Sequence, residues 1–520
     1  MSATPTRAQI RARDDRLFLV LTIVVGIAAG LSAVLFSLSI DATSRYLFGL
    51  APSGARLFLV PVGVSLLTGV LLAKVVPGVR GSGVPQTKAA FQLSGGVIPL
   101  RVPLGKFLTG VLCVGSGQSM GREGPSVQIG AGLASVIGRW LRLSPRRVHD
   151  LVPVGSAGAL AAAFNTPVAA VLFTLEEIIG DLNAALIGST VLASVASVVV
   201  MRSLLGNEPL FHVPTYELVH PGELAAYAVL GVAGGGLSLL FSKGLLRTRA
   251  YFLSLPERSR IVQPVAGGVA MGLLLLVTPA VMGVGYEYVD QALNSGLLAR
   301  TMIGLCLLKL VATIVAYSSG NAGGIFAPSL YLGAMLGGAI GVAVNTYAPL
   351  LGITTGEPGA YALVGMGALF AGIIRAPMTS VFMIFEITQD YQILVPLMVA
   401  NLLSYLISRR YQPVAVYDAL LRQDGVHLPH YTTKAVVGVR TARDFMQEEP
   451  GTLTAPPPVH VHPDHVVDVV LERFRQSNGR LAVVSRTDAH VKLGVITLAS
   501  LMSYVQPQAE EKGSGVMTDS

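Results

Sequence analysis

The sequence predicts an all-α polytopic membrane protein made of two related halves, followed by a small α/β module. The 520 residues are 52% apolar and only 13% charged, with a mean hydropathy of +0.63, a balance that excludes a soluble enzyme and a disordered scaffold alike. Long apolar stretches recur from Leu17 to about Ile407, while charges gather at the two ends and in a few connections. The chain also repeats itself. Segment 106–133 aligns without gaps at offset 203 onto 309–336, with Lys106, Ser116, Gly117, Gly121, Pro125, Ser126, Gly130 and Ala131 meeting identical residues. Segment 154–176 aligns at offset 210 onto 364–386, pairing Val154, Gly155, Ala161, Pro167, Val171 and Glu176 with Val364, Gly365, Ala371, Pro377, Val381 and Glu386.

Residues 1–16 read as a basic N-terminus, since Arg7, Arg11, Arg13 and Arg16 precede the first apolar span and the positive-inside bias places them in the cytoplasm. A second basic cluster, Arg139 to Arg147, is given no side. The first span, Leu17 to Ile40, rises about 1.5 Å per residue, enough to cross a bilayer with tilt, and it exceeds a signal-peptide core. Further apolar segments lie at 57–76, 103–113, 126–138, 151–164, 167–180, 185–205, 223–242, 262–282, 297–317, 326–348, 361–373, 376–388 and 393–408. The halves cover about 17–205 and 223–408. Several segments are too short to cross, and 58 Gly with 30 Pro interrupt them. Broken helices survive in lipid only where protein or a water-lined cavity satisfies the freed backbone, which points to a transporter or channel interior.

The net charge of +8 does not indicate nucleic acid, because aromatics are 7% and the basic residues form no long run. Cys113 and Cys306 each sit in apolar sequence, so neither a disulfide framework nor a Cys metal cluster is expected. The nine histidines lie in polar connections or in the C-terminal module, which disfavours an intramembrane hydrolase or a His-ligated metal centre. His460, His462 and His465 read as a solvated strand-to-loop edge.

The repeat isolates what differs between the halves. Glu123 faces Phe326 and Glu177 faces Ile387, whereas Glu176 recurs as Glu386 and so reads as structural. Carboxylates inside apolar sequence are costly and functional by default. Glu123 sits in Gly121-Arg122-Glu123-Gly124-Pro125 at a helix start, where free backbone N–H groups hold an anion. An ionised Glu123 competes for that site and leaves it when protonated; its plainer role is to complement the helix dipole. Gly81-Ser82-Gly83-Val84-Pro85 and Gly323-Gly324-Ile325-Phe326-Ala327-Pro328 offer similar starts.

GSGVP at 81–85, GREGP at 121–125 and GGIFAP at 323–328, with VYDALL at 416–421, resemble the signature segments of the CLC chloride channel and proton/chloride antiporter family over about 17–425. The resemblance implies a CLC-type inverted-repeat bundle of short, tilted, broken helices in a homodimer, with one anion pathway per subunit. It implies that Ser82 with its neighbour Gly83, Tyr417, and the N–H groups of Ile325 and Phe326 hold a central chloride. It makes Glu123 the external gating glutamate, flanked by Arg122 and Gly124 at an outer anion site, and Glu177 the inner proton glutamate. Partial positive charge without a full charge suits rapid release of chloride. Ser82 with Tyr417 favours chloride over nitrate or fluoride; Gln86, where the family often has Glu, is a departure. The implied activity is exchange of chloride for protons without enzymatic chemistry or a required cofactor, and the alternative is a passive voltage- or pH-gated chloride channel of the same family. The cell (inner) membrane, with both termini cytoplasmic, is the expected location.

Beyond Arg409 the composition turns polar, and 439–505 reads as an α/β module, with a helix over 464–476, strands at 481–485 and 491–496, and a short helix at 498–504. ARDFM at 442–446 and GVITLASLM at 494–502 resemble a CBS-type domain. Such modules work in pairs that bind adenine nucleotides, and VMTDS at 516–520 looks like the start of a second, within an otherwise flexible tail at 506–520.

Overall fold

Helix follows helix in the same order twice. The computed structural model describes residues 7–49, 51–180, 184–207, 210, 211, 213, 220–352, 354–428, 441–455, 457–465, 467–474, 476, 477 and 479–502; the expectations for the tail at 506–520 fall outside them. The first run is α1 (Arg7–Phe48), α2 (Gly54–Lys74), α3 (Val84–Leu93), α4 (Arg101–Gly115), α5 (Glu123–Trp140), α6 (Pro145–Phe164), α7 (Pro167–Phe173) and α8 (Ala184–Leu205). The second is α9 (Glu223–Ser254), α10 (Gln263–Val277), α11 (Tyr286–Leu293), α12 (Ala299–Ser318), α13 (Phe326–Tyr347), α14 (Pro358–Ile374), α15 (Pro377–Thr388) and α16 (Leu394–Tyr411), after which comes α17 (Val416–Gln423).

Among the described residues six helices are long and apolar enough to cross a membrane: Phe18–Phe48 within α1, then α2, Leu186–Leu205 within α8, α9, α12 and Phe326–Leu350 from α13 onward. The helix α1 begins ahead of the apolar span because the residues from Arg7 to Arg16 are mostly good helix formers, so the polar boundary does not interrupt it. The apolar run 262–282 is broken where Thr278 turns extended before Pro279.

Matched residues make matched contacts. A Cβ on Gly130 would strike the backbone of Gly155 and one on Gly155 that of Gly130; Gly333 and Gly365 stand in the same mutual relation. Small residues thus let α5 press on α6 and α13 on α14, the usual way apolar helices associate in lipid. Lys106, fully buried, donates to the carbonyls of Val79 (2.9 Å) and Gly81 (2.5 Å). Lys309, equally buried, donates to those of Val281 (3.1 Å) and Gly283 (2.7 Å). Each lysine therefore ties down the turn ahead of the short helix α3 or α11.

The halves also trade contacts. Gly121 and Gly324 exchange backbone hydrogen bonds, Gly121 N–H to Gly324 O at 2.8 Å and the reverse at 2.7 Å. Glu386 at the end of α15 accepts from the N–H groups of Val168 (2.9 Å) and Ala169 (2.7 Å) at the start of α7. Glu176 accepts from Met378 (3.1 Å) and Thr379 (2.8 Å) at the start of α15. When each partner does to the other what is done to it, the relation is two-fold.

Residues 429–520 form a second unit. Its sheet runs β1 (Gln447–Thr452), β4 (Val491–Thr497), β3 (Arg480–Val484), β2 (His460–Val461), with β2 parallel to β3 and the other pairs antiparallel. Helices Ala442–Phe445, Val467–Phe474 and Leu498–Met502 close a small core of Phe445, Val461, Val470, Leu481, Val483 and Ile496. The helix expected over 464–476 is shorter than its apolar pattern. The two strands β1 and β2 were not expected: all six residues of β1 are exposed, so it lacks alternation, and β2 is two residues long. His460 and His462 place Nδ1 on the carbonyls of Pro457 (2.7 Å) and Val484 (3.2 Å), and His465 Nδ1 accepts from the N–H of His462, so these histidines tie a strand end together.

Candidate functional site

The site grows from three helix starts. Before α3, Gly83 adopts φ +103°, a conformation glycine reaches without strain. Gln86 closes this turn from both sides: its Oε1 accepts from Gly83 N–H (3.0 Å) and its Nε2 donates to Arg80 O (3.1 Å). A glutamate could make only the first of these bonds, which gives the departure at Gln86 a local reason. The turn presents Ser82, fully buried, whose hydroxyl has no hydrogen-bond partner of good geometry.

Against that turn lies the start of α5. A Cβ on Gly124 would collide with the Ser82 hydroxyl and approach its carbonyl to 2.8 Å and Gly324 Cα to 3.4 Å, so only glycine lets the two backbones meet. The start of α13 joins them through the Gly121–Gly324 bridge and a second bridge, Gly81 to Ala322. Ile325 and Phe326 are both buried there, where the first N–H groups of a helix have no carbonyl one turn back. The Phe326 ring packs on Phe164, Phe173 and Phe370 at centroid distances of 4.8, 5.6 and 4.4 Å, an apolar collar that keeps water from the helix start.

Tyr417, the second residue of α17, is fully buried, and its hydroxyl faces Ser82 without completing a hydrogen bond of good geometry. Two buried hydroxyls without partners beside helix N-termini suit a monovalent anion, which takes O–H and N–H donors together.

Glu123 is the first residue of α5 and fully buried. Its Oε1 accepts a 2.5 Å hydrogen bond from the Tyr286 hydroxyl, and its Oε2 lies over Gly121 near the Ala327 N–H without a bond of good geometry. The neighbouring Arg122 turns away from Ser82: its guanidinium donates to the Ser37 hydroxyl and sits 5.8 Å from the centre of the Tyr286 ring, with Nε buried and unpaired.

Glu177 stands apart from this cluster, on a π-helical turn, Thr174–Ile179, that follows α7. Such turns widen the helix and re-aim side chains, often at functional sites. Its Oε1 accepts from Lys88 Nζ at 3.0 Å, and the same ammonium donates to Asp418 Oδ1 at 2.7 Å. The backbone thus gathers Ser82, Gly83, Glu123, Gly124, Ile325 and Phe326, Tyr417 joins through its hydroxyl, and Arg122 and Glu177 occupy flanking positions.

Sequence reasoning missed Tyr286, Lys88 and Asp418. Tyr286 had a signal: GVGY at 283–286 repeats GSGV at 81–84 at offset 202, making α11 the counterpart of α3. Lys88 is a lone cation in a short polar segment, and only the fold sets it against two carboxylates.

Two related halves whose broken helices point their N-termini at a buried, uncharged donor cluster define a membrane transport protein for anions. Residues 64–409 match the family described as voltage gated chloride channel. The H(+)/Cl(-) exchange transporter ClcA of Vibrio cholerae is 30% identical over 435 residues, 80% of this chain and 92% of its own. The chain belongs to the CLC family. A slow cyanobacterial Cl-/H+ antiporter of known crystal structure is 27% identical, with a TM-score of 0.71 over 78% of this chain and 97% of its own. A eukaryotic CLC transporter, at 22% identity, shares the fold with a TM-score of 0.62 over 96% of this chain and 90% of its own.

Proposed function

We propose that the protein moves chloride across a membrane in exchange for protons. The observation that carries this reading is the meeting of three helix starts on the Ser82 and Tyr417 hydroxyls, with the Glu123 carboxylate on the first turn of α5. Chloride is held by the two hydroxyls and by the N–H groups of Ile325 and Phe326. Full cationic charge is kept out, so the ion binds and leaves quickly. Ionised Glu123 is a tethered anion competing for the same helix dipole; adding a proton removes its charge and its claim on the site. One protonation therefore opens the path to chloride, and deprotonation closes it.

Glu177 supplies the proton from the opposite side by a route that does not pass through the chloride site. The π-turn that carries it and the Lys88–Asp418 cluster support a role in proton handling rather than in chloride coordination. The Arg122 guanidinium acts on Glu123 as a nearby positive charge, and the Gly124 backbone helps form the outer anion site.

The basic residues of the N-terminus support placing it in the cytoplasm, and membership of the family supports a cytoplasmic C-terminus too. Membership of the family supports a homodimer with one pathway per subunit, in the cell (inner) membrane. For the second unit a CBS-type identity is supported by ARDFM at 442–446 and GVITLASLM at 494–502 and by the small α/β sheet that the C-terminal residues form. An adenine nucleotide is the ligand proposed for it.

The test uses purified protein in vesicles under an imposed chloride gradient with no initial pH gradient, recording chloride and external pH together with and without an uncoupler. Proton movement against its own gradient, lost in Glu177→Gln while chloride still flows, is the expected result. Chloride flux with no such proton movement would make the protein a passive channel.

A further inference from the structure

The Lys88 ammonium is bonded at once to Glu177, whose side chain is nearly buried, and to Asp418, whose side chain is 35% exposed. The three carry a net charge of −1, so a single added proton neutralises the group. Nothing in a purely structural ion pair requires the second carboxylate, because a buried ammonium is matched by one. The arrangement instead joins a water-facing acid to a buried acid through a group that donates to both.

We propose that Asp418 is the water-side proton acceptor of the exchanger and that Lys88 relays its proton to Glu177. Asp418 takes a proton from hydronium at the water side: an O–H bond of the hydronium breaks as the Asp418 O–H bond forms, and a water molecule is released. One N–H bond of Lys88 then breaks as Glu177 gains an O–H, while the Asp418 O–H bond breaks and Lys88 regains its third N–H. The ammonium ends as it began, Asp418 is again a carboxylate, and one proton has moved inward to Glu177. Both hydrogen bonds needed for this are already in place, at 2.7 and 3.0 Å.

Of the other charged groups on the surrounding elements, Arg375 also acts electrostatically on Asp418 and Glu177, although its hydrogen bonds go elsewhere. Glu176, next to Glu177, binds the N-terminus of α15. Arg375, beyond α14, donates to the carbonyls of Pro413, Ser408 and Gln412. On α6 the His149–Asp150 pair stacks over Phe91 of α3, and on α9 Arg249 pairs with Asp424. Tyr417, the neighbour of Asp418, faces Ser82 and lies within electrostatic reach of Glu177 and Glu123. The cluster of Lys88 and its two acids is thus the group left to take up a proton.

This inference rests on the reading of Glu177 as the inner proton glutamate, and the experiment separates the two. Protons moved per chloride are measured in vesicles across pH 4.5 to 7.5 for the parent protein and for Glu177→Gln, Asp418→Asn, Asp418→Glu, Lys88→Met and Lys88→Arg. Arginine keeps the charge and can bind both carboxylates, but it does not give up a proton. The expected result is a fall of about tenfold or more in protons per chloride for Asp418→Asn, Lys88→Met and Lys88→Arg, recovery in Asp418→Glu, and a lost pH profile in Asp418→Asn. Parent-like ratios in Lys88→Arg and Asp418→Asn, with Glu177→Gln inactive for protons, would overturn the relay alone. A parent-like ratio in Glu177→Gln would overturn the underlying reading and the relay with it. Chloride flux in the same vesicles reports that each variant has folded.

Discussion

The first half of the membrane unit carries the two glutamates proposed to handle protons, and the second half repeats its scaffold without them while adding the helix start at Ile325 and Phe326. Lys106 and Lys309 anchor corresponding turns, the glycine pairs 130/155 and 333/365 bring corresponding helices together, and Glu176 and Glu386 cap each other's neighbouring helix. At the positions that differ, Ser82, Glu123 and Glu177 of the first half stand where the second has Val284, Phe326 and Ile387. A duplicated frame fixes geometry twice and leaves single copies free to diverge. Tyr286 shows the second half contributing by another route, its hydroxyl reaching across to Glu123.

The largest break in this comparison comes from the unpaired residues. Replacing Glu123 with Gln removes the charge proposed to compete with chloride; proton movement is expected to fall at least about 100-fold while chloride continues and its flux no longer depends on pH, as read by paired chloride and pH recordings. The anchors come next. Lys106→Met leaves the Val79 carbonyl without a donor and the Gly81 carbonyl with the Gly323 N–H alone, whereas Lys309→Met takes the lysine donor from both Val281 and Gly283; each costs about 3 kcal/mol, read by thermal unfolding in detergent, with the smaller loss expected for Lys106→Met. A larger loss for Lys106→Met would show that the first half leans more heavily on its anchor.

The exchanged caps sharpen the point further. Glu176→Gln and Glu386→Gln each weaken charge-assisted bonds at a helix start, about 1 kcal/mol apiece, and leave protons per chloride as in the parent. A change in that ratio for Glu176→Gln alone would move Glu176 into the proton route. Tyr286→Phe deletes one hydrogen bond to Glu123 and shifts the pH midpoint of chloride flux by a few tenths of a unit, with transport otherwise intact.

The smallest effect lies outside the membrane. Burial, with His462 and Arg473 nearby, holds the His465 imidazole below its usual range. A base whose charged form the fold disfavours lends stability above its ordinary range, around pH 6.5, and that stability is lost as pH falls through it. Protection from hydrogen exchange across 441–502, corrected for the slower intrinsic exchange at low pH, should therefore fall modestly below about pH 6, and less so in His465→Gln.

Long helices and the repeat were legible because burial in lipid demands apolar runs and because matched contacts preserve matched residues. The short helices α3, α11 and α17 escaped the apolar pattern: they are ten, eight and eight residues long and mix polar with apolar positions. Yet their ends carry Ser82, Tyr286 and Tyr417, so Ser82 and Tyr417 were proposed through glycine spacing and family resemblance rather than through hydropathy, and Tyr286 was missed. Lys88 and Asp418, 330 positions apart, had no sequence signal that could join them.

The crossed glutamate caps also bear on how the chain is made. The start of α7 is complete only when Glu386 has been synthesised, 218 residues after Val168; at ordinary rates of about 5–20 residues per second this is a wait of roughly 10–40 s. During that interval the Val168 and Ala169 amides lack this partner, and the nascent first half must satisfy them with water, lipid headgroups or the insertion machinery. The same crossing suggests an origin: two copies of one ancestral half, each lending its glutamate to the other, could close the structure before the copies were ever fused.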